Sequence, residues 1–109
     1  MPYDESLAGR VGVALALKQG IEKKKLFGGI GFLLDGNMLV GVWKTSLVVR
    51  LGPLAYENAL KEQYVKEFDI TGKPMKGWVV IESAGVEDDE QLFGWIERAT
   101  SFVKTLPKK

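Results

Sequence analysis

The sequence predicts an α+β fold, a single two-layer domain over residues 1–109 in which helices pack on an antiparallel five-stranded sheet. Two segments, one near each end of the chain, place apolar residues at helical spacing. Between them, short apolar runs are separated by turns rich in Gly, Pro, Asp and Asn. Three consecutive strands joined by such short turns have to pair antiparallel, because a parallel connection needs a crossover of about a dozen residues. The expected element order is α-β-β-β-α-β-β-α.

The first helix is predicted from a capping residue and a regular apolar stripe. Asp4 is its expected N-cap, and Leu7, Val11 and Leu15 recur every four residues. Gly20 is its expected end, because glycine readily adopts the backbone conformation that terminates helices.

Two further helices follow from similar signals. Pro53 suits the first turn of a helix, and Tyr56 begins an apolar stripe after it that runs to residue 64. Asp88 or Asp89 caps the last helix, which keeps helical spacing until Pro107.

The five predicted strands are residues 26–34, 38–43, 47–51, 65–70 and 77–83. Turn chemistry separates them at residues 35–37, 44–46 and 71–74. Both alternating sets of residues in these strands are apolar, whereas a sheet with one face in water alternates apolar and polar residues.

If the helices cover one face of this sheet, the other face leaves Leu39, Trp43 and Val48 without cover. Our hypothesis is that a second subunit or another partner covers that face. The alternatives are that one helix wraps round to it, or that these apolar residues are scattered singly.

The chain contains neither Cys nor His. It therefore has no disulfide, no thiolate nucleophile, no structural zinc site of the usual kind and no Ser-His-Asp arrangement. Catalysis would have to rely on Asp, Glu, Lys or Tyr side chains, or on a metal held only by oxygen ligands. We expect no enzymatic activity, no catalytic residue, no metal site and no cofactor.

The charge balance argues against bulk electrostatic binding of nucleic acid. The net charge is +1, from 15 basic and 14 acidic residues, so only a local basic patch remains open. No stretch approaches the roughly 18 apolar residues of a membrane span. The apolar run at residues 11–17 follows Asp4 and Glu5, where a signal peptide would carry positive charge. We expect a cytoplasmic protein without membrane contact.

Two short motifs have structural interpretations. The Gly-Gly-Ile-Gly segment at residues 28–31 suggests a phosphate loop, but Leu34 stands where the dinucleotide motif needs its third glycine. We interpret it as a strand that bulges or lets another element approach closely. The lysines at 23–25 are interpreted as a solvated run that leads into this strand.

Arg50 is the best binding candidate among the charged residues, because it stands inside an otherwise apolar predicted strand. Its guanidinium either pairs with a carboxylate of this chain or meets an anionic partner, and the sequence favours the internal salt bridge. The acidic run at residues 87–90 lacks the spacing of a calcium loop and is explained by its place at a helix start.

The chain resembles the N-terminal domain of the TfoX/Sxy family in a series of short motifs that occur in the right order. These motifs are Tyr3-Asp4-Glu5-Ser6-Leu7, Phe27-Gly28-Gly29, Gly36-Asn37-Met38, Val49-Arg50-Leu51-Gly52-Pro53 and Thr71-Gly72-Lys73-Pro74-Met75-Lys76-Gly77-Trp78. The similarity extends through the last helix. It implies a two-layer fold with an antiparallel sheet, similar in layout to secretion chaperones, and no catalytic residues.

The family's recurring motifs give the structural candidates, and these motifs together with the uncovered sheet face give the candidates for binding a partner. The structural motif residues are Phe27, Gly28, Gly29, Gly36, Gly72, Pro74, Met75, Gly77 and Trp78. The partner-binding candidates are Arg50, Lys73, Lys76, Trp43, Leu39 and Val48. An alternative is that the whole Thr-Gly-Lys-Pro-Met-Lys-Gly-Trp motif is structural.

The function that the resemblance implies is regulatory. Full-length members of the family regulate natural competence with a cyclic-AMP receptor protein, and they carry a helical C-terminal domain to which nothing in these residues corresponds. We expect a non-catalytic bacterial domain that binds a regulatory protein, acts in transcriptional regulation and forms a homodimer. The alternatives are a small transcription factor that binds DNA directly and a module that binds a small molecule.

Overall fold

The computed structural model describes residues 3–26, 28–69 and 72–108. Its helices are α1 (Glu5–Leu15), α2 (Pro53–Ala59) and α3 (Asp89–Val103), with a short 3-10 helix at Ser83–Gly85. Its strands are β1 (Ile21–Leu26), β2 (Gly29–Leu34), β3 (Asn37–Trp43), β4 (Ser46–Arg50), β5 (Val65–Glu67) and β6 (Trp78–Ile81). The strands form one antiparallel sheet in the order β1-β2-β3-β4-β6-β5, which confirms the α+β class.

The sheet has six strands rather than five, because the lysine run is itself a strand. The predicted strand 26–34 corresponds to β2, whereas β1, which carries Lys23–Lys25 and pairs with β2 along its whole length, was not predicted. The lysines are exposed at the edge of the sheet, where charged side chains reach water and the apolar periodicity of an inner strand is not needed. Gly28, which lies between the two strands, has a φ of 76°.

Several other elements are shorter than the sequence predicts: α1 ends at Leu15 rather than at Gly20, and β6 covers Trp78–Ile81 rather than residues 77–83. Helix α2 ends at Ala59, and Tyr64 instead adopts a left-handed φ of 69° just before β5. Strand β5 ends at Glu67, and the predicted remainder includes Ile70, which lies outside the described residues. Helix α3 ends at Val103 rather than at Pro107.

The predicted N-caps and the apolar stripe of the first helix act as expected. The Asp4 carboxylate accepts hydrogen bonds from the backbone N–H groups of Ser6 (2.9 Å) and Leu7 (3.1 Å), and Asp88 forms a capping box with Gln91. The stripe of α1 is buried at Leu7, Val11 and Leu15 against one face of the sheet, called here the helix face. No helix in the described part of the chain has the length and apolar character to cross a bilayer.

A β-bulge in β3 turns Leu39 into this core. The pairing passes from Phe32 opposite Val40 to Leu33 opposite Met38, which leaves Leu39 as the extra residue. Leu39 and Val40 are both fully buried in the helix-face core. The assignment of Leu39 to the uncovered face is therefore wrong, because strict alternation does not survive a bulge.

The opposite face of the sheet is covered by the chain's own segment after β5. Phe68 is 2% exposed and packs against Val48 and Val80, and the partly buried side chains around it are Trp43, Met75 and Trp78. The sequence hypothesis assigned this cover to a second subunit or another partner. In the structure a loop with one aromatic anchor provides it, so Val48 is fully buried within a single chain.

Candidate functional site

Arg50 is the last residue of β4, and its half-buried guanidinium lies between two aromatic rings. The guanidinium carbon lies 5.1 Å from the centroid of the Trp78 ring and 5.8 Å from that of Phe102. Its Nη1 donates a hydrogen bond of 3.4 Å to the carbonyl oxygen of Met38. Cation–π contacts of this kind hold the planar guanidinium in one orientation.

Arg50 has no carboxylate within salt-bridge distance among residues 3–26, 28–69 and 72–108. The ion pairs in those ranges join other residues: Arg10 to Asp89, Lys18 to Glu97, Lys66 to Glu82 and Arg98 to Glu62. The expected internal salt bridge is therefore wrong for the described chain. β4 ends beside Trp78 and Phe102, and there Arg50 meets aromatic rings and a backbone carbonyl instead of an acid.

Burial lowers the pKa of Arg50 from its ordinary value, because desolvation disfavours the charged form. The guanidinium nevertheless stays charged at neutral pH, since its pKa starts so high. It carries five N–H donors in a fixed planar fork. With one hydrogen bond made in the described structure, Arg50 retains donors for a bidentate contact with an incoming anion.

Two glycines allow the segment after Arg50 to pack closely against the start of β6 and against α3. The backbone N–H groups of Leu51 and Gly52 both donate to the carbonyl oxygen of Gly77, at 2.7 Å and 3.0 Å. Gly52 has a φ of 85°, and the Phe102 ring lies where a Cβ would be. Gly77 has a φ of 94°, and its own Cβ would lie 3.2 Å from the Gly52 carbonyl carbon. Side chains at either glycine would push β4, β6 and α3 apart.

The loop from residue 72 to residue 77 combines packing residues with exposed lysines. Met75 donates its backbone N–H to the carbonyl oxygen of Phe68 (3.0 Å), and Trp78 donates to that of Met75 (3.1 Å). Gly72 has a φ of 88°, as the turn requires. Lys73 and Lys76 are exposed and have no ion pair within the described part of the chain.

These features define one surface, the Arg50 surface, which consists of Arg50, Lys76, Trp78 and Phe102. Two of these, Arg50 and Lys76, were candidates from the sequence, and Lys73 lies three positions before Lys76 on the same loop. Phe102 was not proposed as a site residue. Its contact with Gly52 joins two distant parts of the chain, and no local pattern signals it.

The remaining predicted residues have other places. Trp43 is half-buried and meets Phe68 edge-on, with ring centroids 6.2 Å apart and planes at 77°. Lys44 lies over the ring of Trp43, with its Nζ 4.8 Å from the ring centroid. Leu39 and Val48 are fully buried, so neither offers surface to a partner.

The glycine-rich segment behaves as interpreted from the sequence. A Cβ at Gly29 would overlap the backbone carbonyl of Val42, so this glycine allows close approach of β3. Gly36 has a φ of 85° in the hairpin turn after β2.

Pro74 is exposed in its loop, and Phe27 lies outside the described residues. In the described ranges, no three acidic side chains gather in a way that could hold a metal ion.

Comparison with known proteins gives one result. A family model described as the TfoX N-terminal domain matches residues 14–103. No curated protein and no solved structure matches the chain.

Proposed function

The chain belongs to the TfoX N-terminal domain family, and on that basis we propose that it is a non-catalytic bacterial regulatory domain that binds an acidic protein partner at the Arg50 surface. The proposal extends to transcriptional regulation through that partner, as the resemblance implies. The lack of Cys and His supports a binding role over catalysis.

One observation carries the proposal: a half-buried arginine that has no acidic partner in the described chain. Removing a guanidinium from water costs free energy, so it is normally compensated by hydrogen bonds or an opposite charge. Here Trp78 and Phe102 supply part of that compensation, and the unused donors remain. A carboxylate of another molecule supplies the remaining compensation, because it accepts hydrogen bonds from the unused donors and carries the opposite charge.

The surroundings favour a protein as the source of that carboxylate. Arginine between aromatic side chains is typical of the buried centre of protein interfaces, with charged residues at the rim. Lys76 and Lys73 lie exposed on the adjoining loop and extend the positive charge toward such a rim. A duplex DNA would call for a broader basic surface than a chain with a net charge of +1 carries.

Two earlier predictions stand beside this proposal. The homodimer stays a prediction. The sheet face that was expected to form its interface is not available for it, because Phe68 already covers the side chains of Val48 and Val80. Light scattering of the purified chain measures its oligomeric state directly. The cytoplasmic location also stays a prediction.

The test is an affinity capture from the source cells with the tagged chain and three variants, followed by titration with the purified partner. Arg50→Ala and Lys76→Ala alter the Arg50 surface, and Lys61→Ala removes an exposed lysine elsewhere as the matched control. We expect a partner that is retained by the wild type and by Lys61→Ala and is lost by Arg50→Ala. Loss of a buried charge-assisted contact predicts a roughly tenfold or greater drop in affinity.

A partner set that Arg50→Ala retains unchanged would show that this surface does not bind it. Direct DNA binding is checked by fluorescence anisotropy with a labelled duplex at low salt. Tight binding there, falling steeply as salt is added, would contradict the proposal and support a small DNA-binding factor.

A further inference from the structure

Strand β1 forms one edge of the sheet and leaves a row of backbone groups unpaired among the described residues. Its only strand neighbour there is β2. Asp35 donates its backbone N–H to Gly20 (2.9 Å), and bonded pairs alternate along an antiparallel ladder. Glu22 and Lys24 therefore bond to β2. The N–H and C=O groups of Lys23 and of its neighbours two positions away, Ile21 and Lys25, point away from the sheet.

A groove of about 500 Å³, lined by both charged and apolar side chains, runs beside this edge, between α1 and the sheet. Ile30 of β2 and Lys23 of β1 line its sheet side, and Glu5, Gly9, Gly12 and Val13 of α1 line its other side. The groove exists because α1 carries glycines there: a Cβ at Gly9 or Gly12 would meet nothing within 4 Å. Val13 on its rim is 75% exposed.

The charge of β1 identifies the kind of strand that fits next to it. Lys23, Lys24 and Lys25 are all exposed and have no ion pair in the described ranges. A second copy of β1 is a poor neighbour, since antiparallel registers that pair most of the strand place lysine opposite lysine, which is destabilising. An acidic strand has the complementary charge.

We propose that β1 is a docking edge for an extended segment of a partner protein in which acidic and apolar residues alternate. The segment adds as a seventh strand through the outward backbone groups of Ile21, Lys23 and Lys25. Residues of the segment that lie opposite Ile21, Lys23 and Lys25 share the groove face with them, so the acidic side chains lie there, beside Lys23 and Lys25. Its apolar side chains lie on the other face of the sheet. This surface lies three strands from Arg50 in the sheet, so the inference does not depend on the Arg50 proposal.

The test is an NMR titration of the whole chain with a synthetic peptide of about ten residues in which Glu alternates with Val. We expect the exchange of the Ile21, Lys23 and Lys25 amides to slow on binding, because these N–H groups gain hydrogen bonds. The same peptide with Lys in place of Glu is the charge control and is expected not to bind.

Three variants separate the parts of the proposal. Lys23→Pro removes an outward N–H while leaving the bonds to β2 in place, and Lys23→Ala removes the same charge but keeps the N–H. We expect Lys23→Pro to weaken peptide binding roughly tenfold and Lys23→Ala less than about fivefold. Gly12→Leu fills the groove, and we expect it to weaken binding while thermal unfolding shows a fold at least as stable, since Leu favours helix over Gly.

Several outcomes would overturn the proposal. One is the absence of amide protection in β1 at saturating peptide, and another is equal binding by Lys23→Pro and Lys23→Ala. A homodimer that Lys23→Pro dissociates would identify a second copy as the occupant instead. Arg50→Ala is expected to leave binding of this peptide unchanged, so failure at β1 and failure at the Arg50 surface are read separately.

Discussion

The ring of Phe102 lies against the backbone of Gly52, in the space where any other residue would carry its Cβ. This contact joins the C-terminal part of α3 to the end of β4 and places one of the two rings beside Arg50. Gly52 also has φ 85° and ψ 161°, a conformation that is open almost only to glycine. The position of Arg50 therefore depends on a residue two places along the chain.

We expect Gly52→Ala to destabilise the fold by at least about 1–3 kcal/mol from backbone strain alone, with further loss from overlap with Phe102. Urea unfolding measures the change in the free energy of unfolding. Gly94→Ala is the matched control, because Gly94 lies in α3 with nothing within 4 Å of an added Cβ. It is expected to stabilise by about 0.5–1 kcal/mol. Equal effects at the two glycines would contradict this account.

We expect Phe68→Ala to cost about 3–5 kcal/mol, because it removes a buried ring from the far face of the sheet. Phe68 meets Trp43 and Trp78, both at 6.2 Å between ring centroids. Near-ultraviolet circular dichroism should report the loss of this aromatic packing. Phe93→Ala, at a ring that is 46% exposed, should change stability by less than about 1 kcal/mol. A mild effect of Phe68→Ala would mean that something else covers Val48 and Val80.

We expect Arg50→Met to keep the free energy of unfolding within about 1 kcal/mol of wild type while partner binding is lost. The reason is that a half-buried charge without a carboxylate contributes little to stability. Arg98→Met is the control: Arg98 pairs with Glu62 (2.7 Å) and stacks on Trp95 (4.2 Å) at another surface. It should retain partner binding. A loss above about 3 kcal/mol in Arg50→Met would instead indicate a broken buried ion pair.

Tyr56 links stability to alkaline pH. Burial, and then its hydrogen bond to Glu67 (2.9 Å), raise the pKa of the Tyr56 hydroxyl above its ordinary value of 10.0. Above about pH 10 the unfolded chain loses this proton while the folded chain keeps it, so stability falls as pH rises. We expect Tyr56→Phe to show a shallower fall between about pH 8 and pH 11 in urea unfolding.

Tyr64→Phe removes an exposed hydroxyl and is the matched control for this measurement. An alkaline decline of the same steepness in Tyr56→Phe and in wild type would show that Tyr56 does not contribute to it.

Much of the fold could be predicted because its signals are local. The stripe Leu7, Val11 and Leu15 and the caps Asp4 and Asp88 act within one or two helical turns, and the structure uses all of them. Strand β1 was missed for an equally local reason. Its three lysines carry no apolar period, and only its place at the sheet edge makes them acceptable in a strand.

The binding candidates also show the difference between local signals, which the sequence carries, and tertiary contacts, which it does not. Arg50 stood out as the charged residue of an apolar strand, but the sequence could not say whether an acid would meet it. Leu39 and Val48 looked uncovered because alternation was assumed to continue. A bulge turned Leu39 inward, and Phe68 covered Val48.

By itself the sequence determined the α+β class, the helices with their caps, the hairpin turns, the absence of Cys and His chemistry, and the family resemblance. These depend on residue type and short spacing, which chain geometry converts directly into local structure. Only the tertiary structure decided that Arg50 faces Trp78 and Phe102, that Phe68 closes the second face, and that β1 is a free edge. Each of these depends on which distant segments pack together, and that choice is made by the summed burial of the whole domain.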